Sequence, residues 1–428
     1  MVPCVLDRKS AQKNRKIAKR FIGEHPLKEE NLMHVVKTFG HFIGGTLLIA
    51  GTSLGVGMLA LPVATVASGF IPAILVYAVC WLFMLATGLL ILEACIWMPK
   101  GSNLITLASR LLGTGGKVFC WLLYLCLFSC LMVAHVTGGG QIFQLLSNGS
   151  LPLPLGVLAY VILFAPIVYL GTLWVDRCNI LLMVGMIITY VLFLSLSLRY
   201  VDVSLLTRTD WKKTLLALPV VFTAFGYQVL VPTLFNYMNR NIQKIRLAII
   251  CGTAIPFIIY LIWELLILGI VPFEGSGGLA DAMRKGENAV NPLGAYIHNP
   301  TLLAIGQAFA FFVMTTSFLG LSIAFVDFLA DGLKITQTGK RKIGLCTLIF
   351  LIPTLITLIN PGLFLHALVY AGGFGVALLL GAMPIMMVWS GRYYEGYSLL
   401  HQQLPGGKIT LTILMIFVLL ELGVTLAI

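Results

Sequence analysis

Residues 51–62, GTSLGVGMLALP, decide the fold. They lie within an apolar segment, residues 39–67, that is long enough to cross a membrane as a helix. Glycine occurs at positions 55 and 57 of this segment, and proline occurs at position 62. In a helix interior glycine costs roughly 1 kcal/mol and proline about 3 kcal/mol relative to alanine. The pattern therefore predicts a membrane-spanning helix that is interrupted near its middle.

A second segment, residues 223–232, TAFGYQVLVP, shows the same pattern. Gly55 precedes Pro62 by seven positions, and Gly226 precedes Pro232 by six. The two segments fall in the first and sixth predicted spans, so they predict two repeats of five helices each. A repeat with an odd number of spans is inverted in the membrane relative to its partner. Paired interrupted helices of this kind indicate the substrate site of a transporter.

The composition places the whole chain in a membrane. Of the 428 residues, 59% are hydrophobic and only 10% are charged, and the mean hydropathy is +0.98. Apolar runs near twenty residues recur along the sequence and predict an all-α polytopic membrane protein. The eleven predicted spans are 39–67, 71–98, 117–146, 153–171, 178–199, 214–238, 246–271, 301–333, 342–359, 363–389 and 409–427.

The basic residues predict the orientation. The net charge of +12 resides in short loops, which favours a topology signal over a nucleic-acid partner. With the N-terminus in the cytoplasm and the C-terminus outside, 22 Lys and Arg residues lie inside and six outside. We therefore expect a basic cytoplasmic tail (1–37), a first repeat (38–200), a second repeat (201–390) and an extra C-terminal helix (391–428).

The chemistry of a helix break favours a small zwitterion. An interrupted helix exposes N–H groups at the start of one half and C=O groups at the end of the other, with partial charges of opposite sign. An amino acid can place its carboxylate on the first and its ammonium group on the second. Gly55 and Gly57 allow close approach to the backbone, and Thr52 and Ser53 add hydroxyl groups. The alternative is a kink that serves packing alone.

Three segments carry a family resemblance. GTSLGVGMLALP (51–62), PVVFTAFGYQVLVPTLFNYMNRNIQKIR (219–246) and TTSFLGLSIAFVDFLAD (315–331) resemble signatures of the hydroxy and aromatic amino acid permeases, and most closely those of the tyrosine-specific transporters. The resemblance runs from about residue 40 to 425. It implies a LeuT-like fold of five plus five inverted helices, discontinuous helices 1 and 6, and an eleventh helix.

The resemblance also implies a function. It predicts a secondary active transporter of the bacterial inner membrane that imports aromatic amino acids, with tyrosine as the most favoured substrate. The predicted mechanism is proton symport with alternating access. The proton gradient is then the energy source, and no cofactor, metal or nucleic-acid partner is expected. The alternatives are sodium coupling and transport of another neutral or hydroxy amino acid such as tryptophan, phenylalanine or serine.

The second break and the third span supply further candidates for substrate binding. Phe225 and Tyr227 flank Gly226 and are predicted to form an aromatic pocket, with Gln228 beside them. In the resembled fold the third helix faces the broken segments, so His135 is a candidate for contact with the substrate. A neutral histidine that bonds to a backbone carbonyl is the alternative.

Ionisable groups inside spans suggest sites of ion coupling. Glu93, His135 and Asp327 are the candidates for carrying a proton, whereas each carboxylate has the alternative of pairing with a basic inner residue. Thr316 and Ser317 in the eighth span are the candidates for sodium, because sodium-coupled members of the wider fold bind the ion between helices 1 and 8. Hydroxyl groups in membrane helices also often bond only to their own backbone.

Other classes of protein fit the sequence poorly. The seven histidines are scattered (25, 34, 41, 135, 298, 366 and 401), and they form no HExxH or other ligand cluster. No Walker motif is present for ATP-driven transport. The chain is therefore not expected to be an enzyme.

Overall fold

A computed structural model describes residues 41–147, 149–397 and 402–428. The basic tail predicted for residues 1–37 lies outside the described residues. Within the described ranges every regular element is a helix. Ten helices are long and apolar enough to cross a membrane, and a bent pair near the N-terminus makes an eleventh span. The prediction of an all-α polytopic membrane protein with a broken first helix is therefore confirmed.

We number the spans 1 to 11 in chain order. Span 1 consists of two half-helices that meet at an angle of 51°. Span 6 consists of a 3₁₀ segment and a short helix, a non-helical break at residues 225–227, a 3₁₀ turn at Gln228–Leu230 and a second short helix. The bounds are span 1, His41–Ser53 and Val56–Thr65; span 2, Phe70–Ile96; span 3, Leu104–Leu146; span 4, Leu153–Leu170; span 5, Thr172–Ser197; span 6, Trp211–Ala217, Leu218–Ala224 and Val231–Tyr237; span 7, Ile242–Ile270; span 8, Pro300–Leu333; span 9, Gly339–Ile359; span 10, Leu363–Tyr393; and span 11, Gly407–Ala427.

Spans 3 and 5 begin well before the residues that hydropathy predicted, by 13 and 6 residues respectively. Span 3 starts at Leu104, and its helix bends at Gly113, where φ is 72°. The residues before this bend carry the polar side chains Ser109 and Arg110, so they lie outside the apolar window that hydropathy detects. Span 5 starts at Thr172 and includes Asp176 and Arg177 in its first turns. In both spans the helix continues beyond its hydrophobic part.

The packing follows the symmetry that the two breaks predict. Spans 1, 2, 3 and 4 pack against spans 6, 7, 8 and 9 respectively, so each contacts its counterpart five spans later. The close packing of span 5 on span 8 is matched by that of span 10 on span 3. These reciprocal pairs are what an inverted repeat produces, and they bring the two broken spans together in the centre of the bundle.

The bundle has two ends, which we call the N-side, where span 1 begins at His41, and the opposite side. On the opposite side the segment between spans 7 and 8 covers the bundle. In this covering segment the N–H of Ala289 donates to Leu59 O at 2.8 Å. The carbonyl of Gly286, in the same segment, accepts from Gln141 Nε2 at 2.8 Å. These bonds tie the second half of span 1 and span 3 to the same covering segment. The opposite side is therefore closed.

On the N-side one face of span 8 is open. Ser317 is half-buried. On the successive turns between it and the N-side, the exposed residues are Gly320, Ala324, Asp327 and Asp331. No atom of the described neighbouring elements lies within 4 Å of the position that a Cβ would take on Gly320. Two carboxylates on this face suit water better than lipid. The exposed face of span 8 thus runs from Ser317, beside the first break, to the N-side.

Candidate functional site

The two broken helices cross where both lack a bulky side chain. A Cβ built on Gly57 would lie 2.7 Å from the Cα of Ala224, the last residue of the first half of span 6. A Cβ built on Gly55 would lie 2.7 Å from the Oγ of Ser317 in span 8. Only glycine permits these approaches. The structure therefore gives Gly55 and Gly57 a packing role, in contact with spans 8 and 6. The predicted approach of the substrate to their backbone stays a prediction.

One hydroxyl group joins the carbonyl ends of both breaks. The first half of span 1 ends at Ser53, and the first half of span 6 ends at Ala224. The hydroxyl of Tyr260, in span 7, lies within hydrogen-bond distance of both backbone carbonyls, at 3.0 Å from Ala224 O and closer to Ser53 O. A phenol has a single proton to donate, so it can satisfy only one of these two acceptors at a time.

The arrangement leaves complementary partial charges at the crossing. The carbonyl ends of the two first halves meet at Tyr260, whose side chain is fully buried. The second half of span 1 starts at Val56. The N–H of Met58 bonds to Gly55 O at 3.0 Å, and the N–H groups of Val56 and Gly57 have no acceptor within the helix. A zwitterion bound here could bond through its carboxylate to these N–H groups and through its ammonium group to the carbonyls.

The three side chains of the second break point toward different neighbours. The Phe225 ring packs edge-on against Tyr260 in span 7, with ring centroids 5.1 Å apart. The hydroxyl of Tyr227 donates to Met84 O in span 2 at 3.3 Å. Gln228 accepts from the N–H of Tyr227 at 2.9 Å. Phe225 thus contacts span 7, and its ring also meets that of Tyr77 in span 2 at 6.4 Å, whereas the hydroxyl of Tyr227 bonds to span 2.

Span 2 is shaped to receive this segment. A Cβ built on Gly88 would lie 1.9 Å from the Tyr227 hydroxyl, so only glycine fits there. The amide of Gln228 donates to Met84 O at 3.2 Å and to Thr87 Oγ1 at 3.0 Å. Gln228 therefore caps the unwound backbone and ties it to span 2. Gly226 remains partly exposed between these contacts.

His135 lies beside the first break. Its Nδ1 is 2.7 Å from Leu131 O, and its Nε2 is 2.9 Å from Ser317 Oγ. Because a carbonyl only accepts, Nδ1 carries the proton in the neutral ring, and Ser317 donates its hydroxyl proton to Nε2. Ser317 in turn contacts Gly55, so the structure brings these three candidate residues of spans 3, 8 and 1 together.

Other predicted hydroxyl groups bond to their own helices. Thr52 donates to Leu48 O at 2.8 Å, Ser53 to Ile49 O at 3.4 Å and Thr316 to Val313 O at 3.1 Å. Thr52 is exposed, whereas Ser53 and Thr316 are buried. In these positions their hydroxyls satisfy carbonyls within a helix turn.

The two carboxylates proposed for proton transfer differ in environment. Glu93 forms a two-pronged ion pair with Arg392 of span 10, at 2.6 Å and 2.8 Å, and both side chains are 1% exposed. It also accepts from the backbone N–H of Gln403 at 2.8 Å. Asp327 is exposed on the N-side, where Gln337 Nε2 donates to it at 2.7 Å. The structure thus pairs Glu93 with a cation and leaves Asp327 on the exposed face of span 8.

Sequence reasoning missed two residues of span 7. Tyr260 gives no signal in the sequence, because an isolated tyrosine in an apolar helix is common. Glu264 is visible as a carboxylate within a span, but its position there predicts no partner. The structure places it fully buried, where it accepts hydrogen bonds from Thr65 and Tyr77. The two residues lie one helical turn apart, with Tyr260 at the carbonyl ends of the breaks and Glu264 at the end of the second half of span 1.

A cavity of about 450 Å³ lies elsewhere, on the opposite side. Its lining includes Ala67 after span 1, Lys213 in the first segment of span 6, and Phe273 and Arg284 of the covering segment. The second half of span 1 separates it from the breaks. Among the described residues, no group of three or more His, Cys, Asp or Glu side chains is arranged to hold a metal ion.

Comparison with known sequences gives one family. A sequence model of the tryptophan/tyrosine permease family matches residues 39–425. The tryptophan-specific transport protein of Pseudomonas aeruginosa is 32% identical over 389 residues, which cover 88% of this chain and 92% of that protein. The tyrosine-specific transport system 1 of Haemophilus influenzae is 28% identical over 391 residues, or 90% and 96% of the two chains.

Comparison with solved structures supports the fold. The crystal structure of MhsT in complex with L-phenylalanine matches with a TM-score of 0.64. The match covers 89% of this chain and 98% of that one, at 14% sequence identity. MhsT has the LeuT fold, so the match confirms the fold class. At this identity it carries no information about the substrate.

Proposed function

The chain belongs to the tryptophan/tyrosine permease family, and from this premise we propose that it imports an aromatic amino acid by proton symport with alternating access. It is an integral membrane transport protein and not an enzyme. The observation that carries the proposal is the crossing of two broken helices at Gly57 and Ala224, with backbone ends of both partial charges around it. Such a crossing suits a zwitterion at the middle of the membrane.

Closure on one side supports alternating access. The covering segment closes the opposite side through bonds to spans 1 and 3, and the open face of span 8 leads from Ser317 to the N-side. This is the arrangement of a carrier that opens to one side at a time. We place the N-side in the cytoplasm of a bacterial inner membrane, because 22 of the 28 Lys and Arg residues fall on that side. The open state would then be the one that releases substrate inward.

Tyrosine is the first candidate substrate, from the resemblance of the signature segments, and tryptophan is the second. The second is favoured by the relative from Pseudomonas aeruginosa, a tryptophan-specific transport protein that is 32% identical, against 28% for the tyrosine-specific system of Haemophilus influenzae. Phe225 is buried against aromatic neighbours at the crossing, and an aromatic substrate would pack on such rings edge-on or stacked.

Proton coupling is preferred to sodium coupling because the resemblance to the hydroxy and aromatic amino acid permeases implies it. In span 8 the hydroxyl of Ser317 donates to His135, and that of Thr316 donates to its own helix. A hydroxyl that donates a hydrogen bond keeps its oxygen lone pairs, so Thr316 and Ser317 stay the candidates for sodium if uptake requires it.

The test is uptake into liposomes that contain the purified protein. Labelled tyrosine and labelled tryptophan are each followed under an inward proton gradient, with and without sodium. Accumulation that requires the proton gradient and is indifferent to sodium supports the proposal, and the better substrate is the one with the higher kcat/KM. Accumulation that requires sodium and ignores pH would move the coupling site to Thr316 and Ser317. A folded protein that transports neither amino acid would refute the assignment of cargo.

A further inference from the structure

Glu264 is a buried carboxylate without a cation. Its side chain in span 7 is fully buried, and it accepts hydrogen bonds from Thr65 Oγ1 in span 1 and from the Tyr77 hydroxyl in span 2, the latter at 2.7 Å. In the described part of the chain it forms no ion pair. Glu93, by contrast, is neutralised by Arg392. A buried charge that has only hydroxyl partners is costly, so it readily takes up a proton.

The contacts of Glu264 accommodate both protonation states. In the ionised state Thr65 and Tyr77 each donate one hydroxyl proton, one to each carboxylate oxygen. In the protonated state Glu264 donates from Oε1 to Thr65 Oγ1, and Thr65 redirects its own proton to Leu61 O, which lies 2.8 Å away. Every donor keeps an acceptor in both states. Gain or loss of one proton therefore needs only the rotation of one hydroxyl group.

The same contacts connect Glu264 to both breaks. Thr65 is the last residue of the second half of span 1, the half that starts at the first break. The ring of Tyr77 meets that of Phe225, in the second break, edge to face at 6.4 Å. Tyr260 lies one turn before Glu264 on span 7 and faces the carbonyl ends of both breaks. A change at Glu264 thus acts on the elements that surround the substrate.

Among the described residues, no ion pair holds Glu264 in its ionised state. Tyr77 faces it from span 2, and Tyr260 lies beside it on span 7. From the segment before span 6, the guanidinium of Arg208 donates to Val66 O at 2.7 Å and to Ala67 O at 3.1 Å, and it lies 3.7 Å from the centre of the Phe273 ring. Arg208 therefore caps the end of span 1 on the opposite side and makes no ion pair with Glu264.

We propose that Glu264, between spans 1, 2 and 7, is the residue that carries the symported proton. This inference rests on the proposed function of proton-coupled uptake. One proton binds to a carboxylate oxygen of Glu264 when the carrier is open to the opposite side, and it leaves to the N-side solution after substrate release. No other bond is made or broken. Neither Glu93, which is paired with Arg392, nor the exposed Asp327 is the carrier of this proton.

The test separates exchange from accumulation. Glu264→Gln keeps the shape of the side chain and cannot be ionised. In liposomes loaded with unlabelled substrate, without a pH gradient, we expect this variant to exchange labelled tyrosine or tryptophan at a rate close to that of the unmodified protein. Under an inward proton gradient we expect it to lose accumulation above the equilibrium level. Substrate addition should also no longer draw protons into the liposomes, as followed by a pH-sensitive dye.

A matched control is the other buried carboxyl group without a cation. Glu421 in span 11 is also fully buried, and it lies next to Thr425 on its own helix, away from the breaks. Glu421→Gln should keep both exchange and proton-driven accumulation. If unmodified protein shows no proton-driven accumulation, the proposed function itself fails. If it accumulates substrate and Glu264→Gln does so equally, only the inference about Glu264 fails.

Two further outcomes are decisive. A Glu264→Gln protein that binds substrate but neither exchanges nor accumulates it also overturns the inference, because the carrier should run without the proton. If this variant does not fold, Thr65→Val and Thr65→Ser take its place. Valine removes the hydroxyl that accepts the proton of Glu264, whereas serine keeps it, so only Thr65→Val should shift the pH dependence of accumulation. Identical pH profiles for the two variants would overturn the inference.

Discussion

Replacement of Glu93 by glutamine tests whether this carboxylate is a structural partner or a proton carrier. Glu93 in span 2 holds Arg392 in span 10 through two hydrogen bonds of 2.6 Å and 2.8 Å, and both side chains are 1% exposed. A third bond, from the N–H of Gln403, ties the segment before span 11 to the same carboxylate. The variant leaves the guanidinium buried with no counter-charge.

The expected loss follows from this burial. Removal of one partner of a buried ion pair costs about 3–5 kcal/mol, because the remaining charge stays desolvated and unpaired. An unfolding entropy of about 2.1 cal/mol/K per residue, taken over the 428 residues, converts this loss into a fall in Tm of about 3–6 °C. Replacement of both partners, Glu93→Gln with Arg392→Met, should recover most of the loss, since no charge is then buried.

The assay is thermal unfolding of the purified protein in detergent, followed by intrinsic fluorescence, for the two single variants and the double variant. The interaction free energy of Glu93 and Arg392 is the change in unfolding free energy of the double variant minus the sum of the changes in the two single variants. Proton-driven uptake in liposomes is measured in parallel. We expect the double variant to retain proton coupling, because the ion pair holds spans 2 and 10 together and takes no part in proton transfer.

One result would refute this reasoning. If Glu93→Gln melts within about 1 °C of the unmodified protein and loses proton-driven accumulation while it keeps exchange, Glu93 is a proton carrier and its pair with Arg392 is incidental to stability.

The remaining predictions concern the crossing of the breaks. Tyr260→Phe removes the single proton that the carbonyls of Ser53 and Ala224 share, so one of them loses its donor, at a cost of about 1–3 kcal/mol. We expect uptake to fall about tenfold, whereas Tyr190→Phe, at an equivalent hydroxyl in span 5 that bonds to a span 7 carbonyl at 3.3 Å, should change it little. Gly57→Ala puts a methyl group 2.7 Å from a backbone carbon of span 6, so uptake should be lost. Its control is Gly423→Ala, which adds a methyl group in open space on span 11. Equal uptake by the two variants would contradict the close crossing of spans 1 and 6. Ser317→Ala removes the proton donor to the imidazole in span 3, and we expect a higher KM for the aromatic substrate with the protein still folded, whereas an unchanged KM would place this hydroxyl outside the site.

The interrupted spans could be predicted because their signals are local. Glycine and proline disfavour a helix wherever they occur, and their recurrence at residues 51–62 and 223–232 locates both breaks to within a few residues. The structure places the breaks at Leu54 and Gly55 and at residues 225–227. The contacts of the side chains next to the breaks could not be predicted from the sequence. Phe225 and Tyr227 are adjacent to the same glycine, yet Phe225 packs on Tyr260 in span 7 whereas Tyr227 bonds to Met84 in span 2.

The sequence by itself determined that the chain is a bundle of membrane helices with two broken spans, because apolar length and helix-breaking residues act within one turn or one span. Only the tertiary structure decided which side chains meet. Tyr260 faces Ser53 across 207 positions of sequence, and Glu93 meets Arg392 across 299. A lone tyrosine or glutamate in an apolar span does not identify its partner, because that partner is set by how the helices pack. The buried contacts of Glu264, on which the proton proposal depends, are likewise set by how the helices pack.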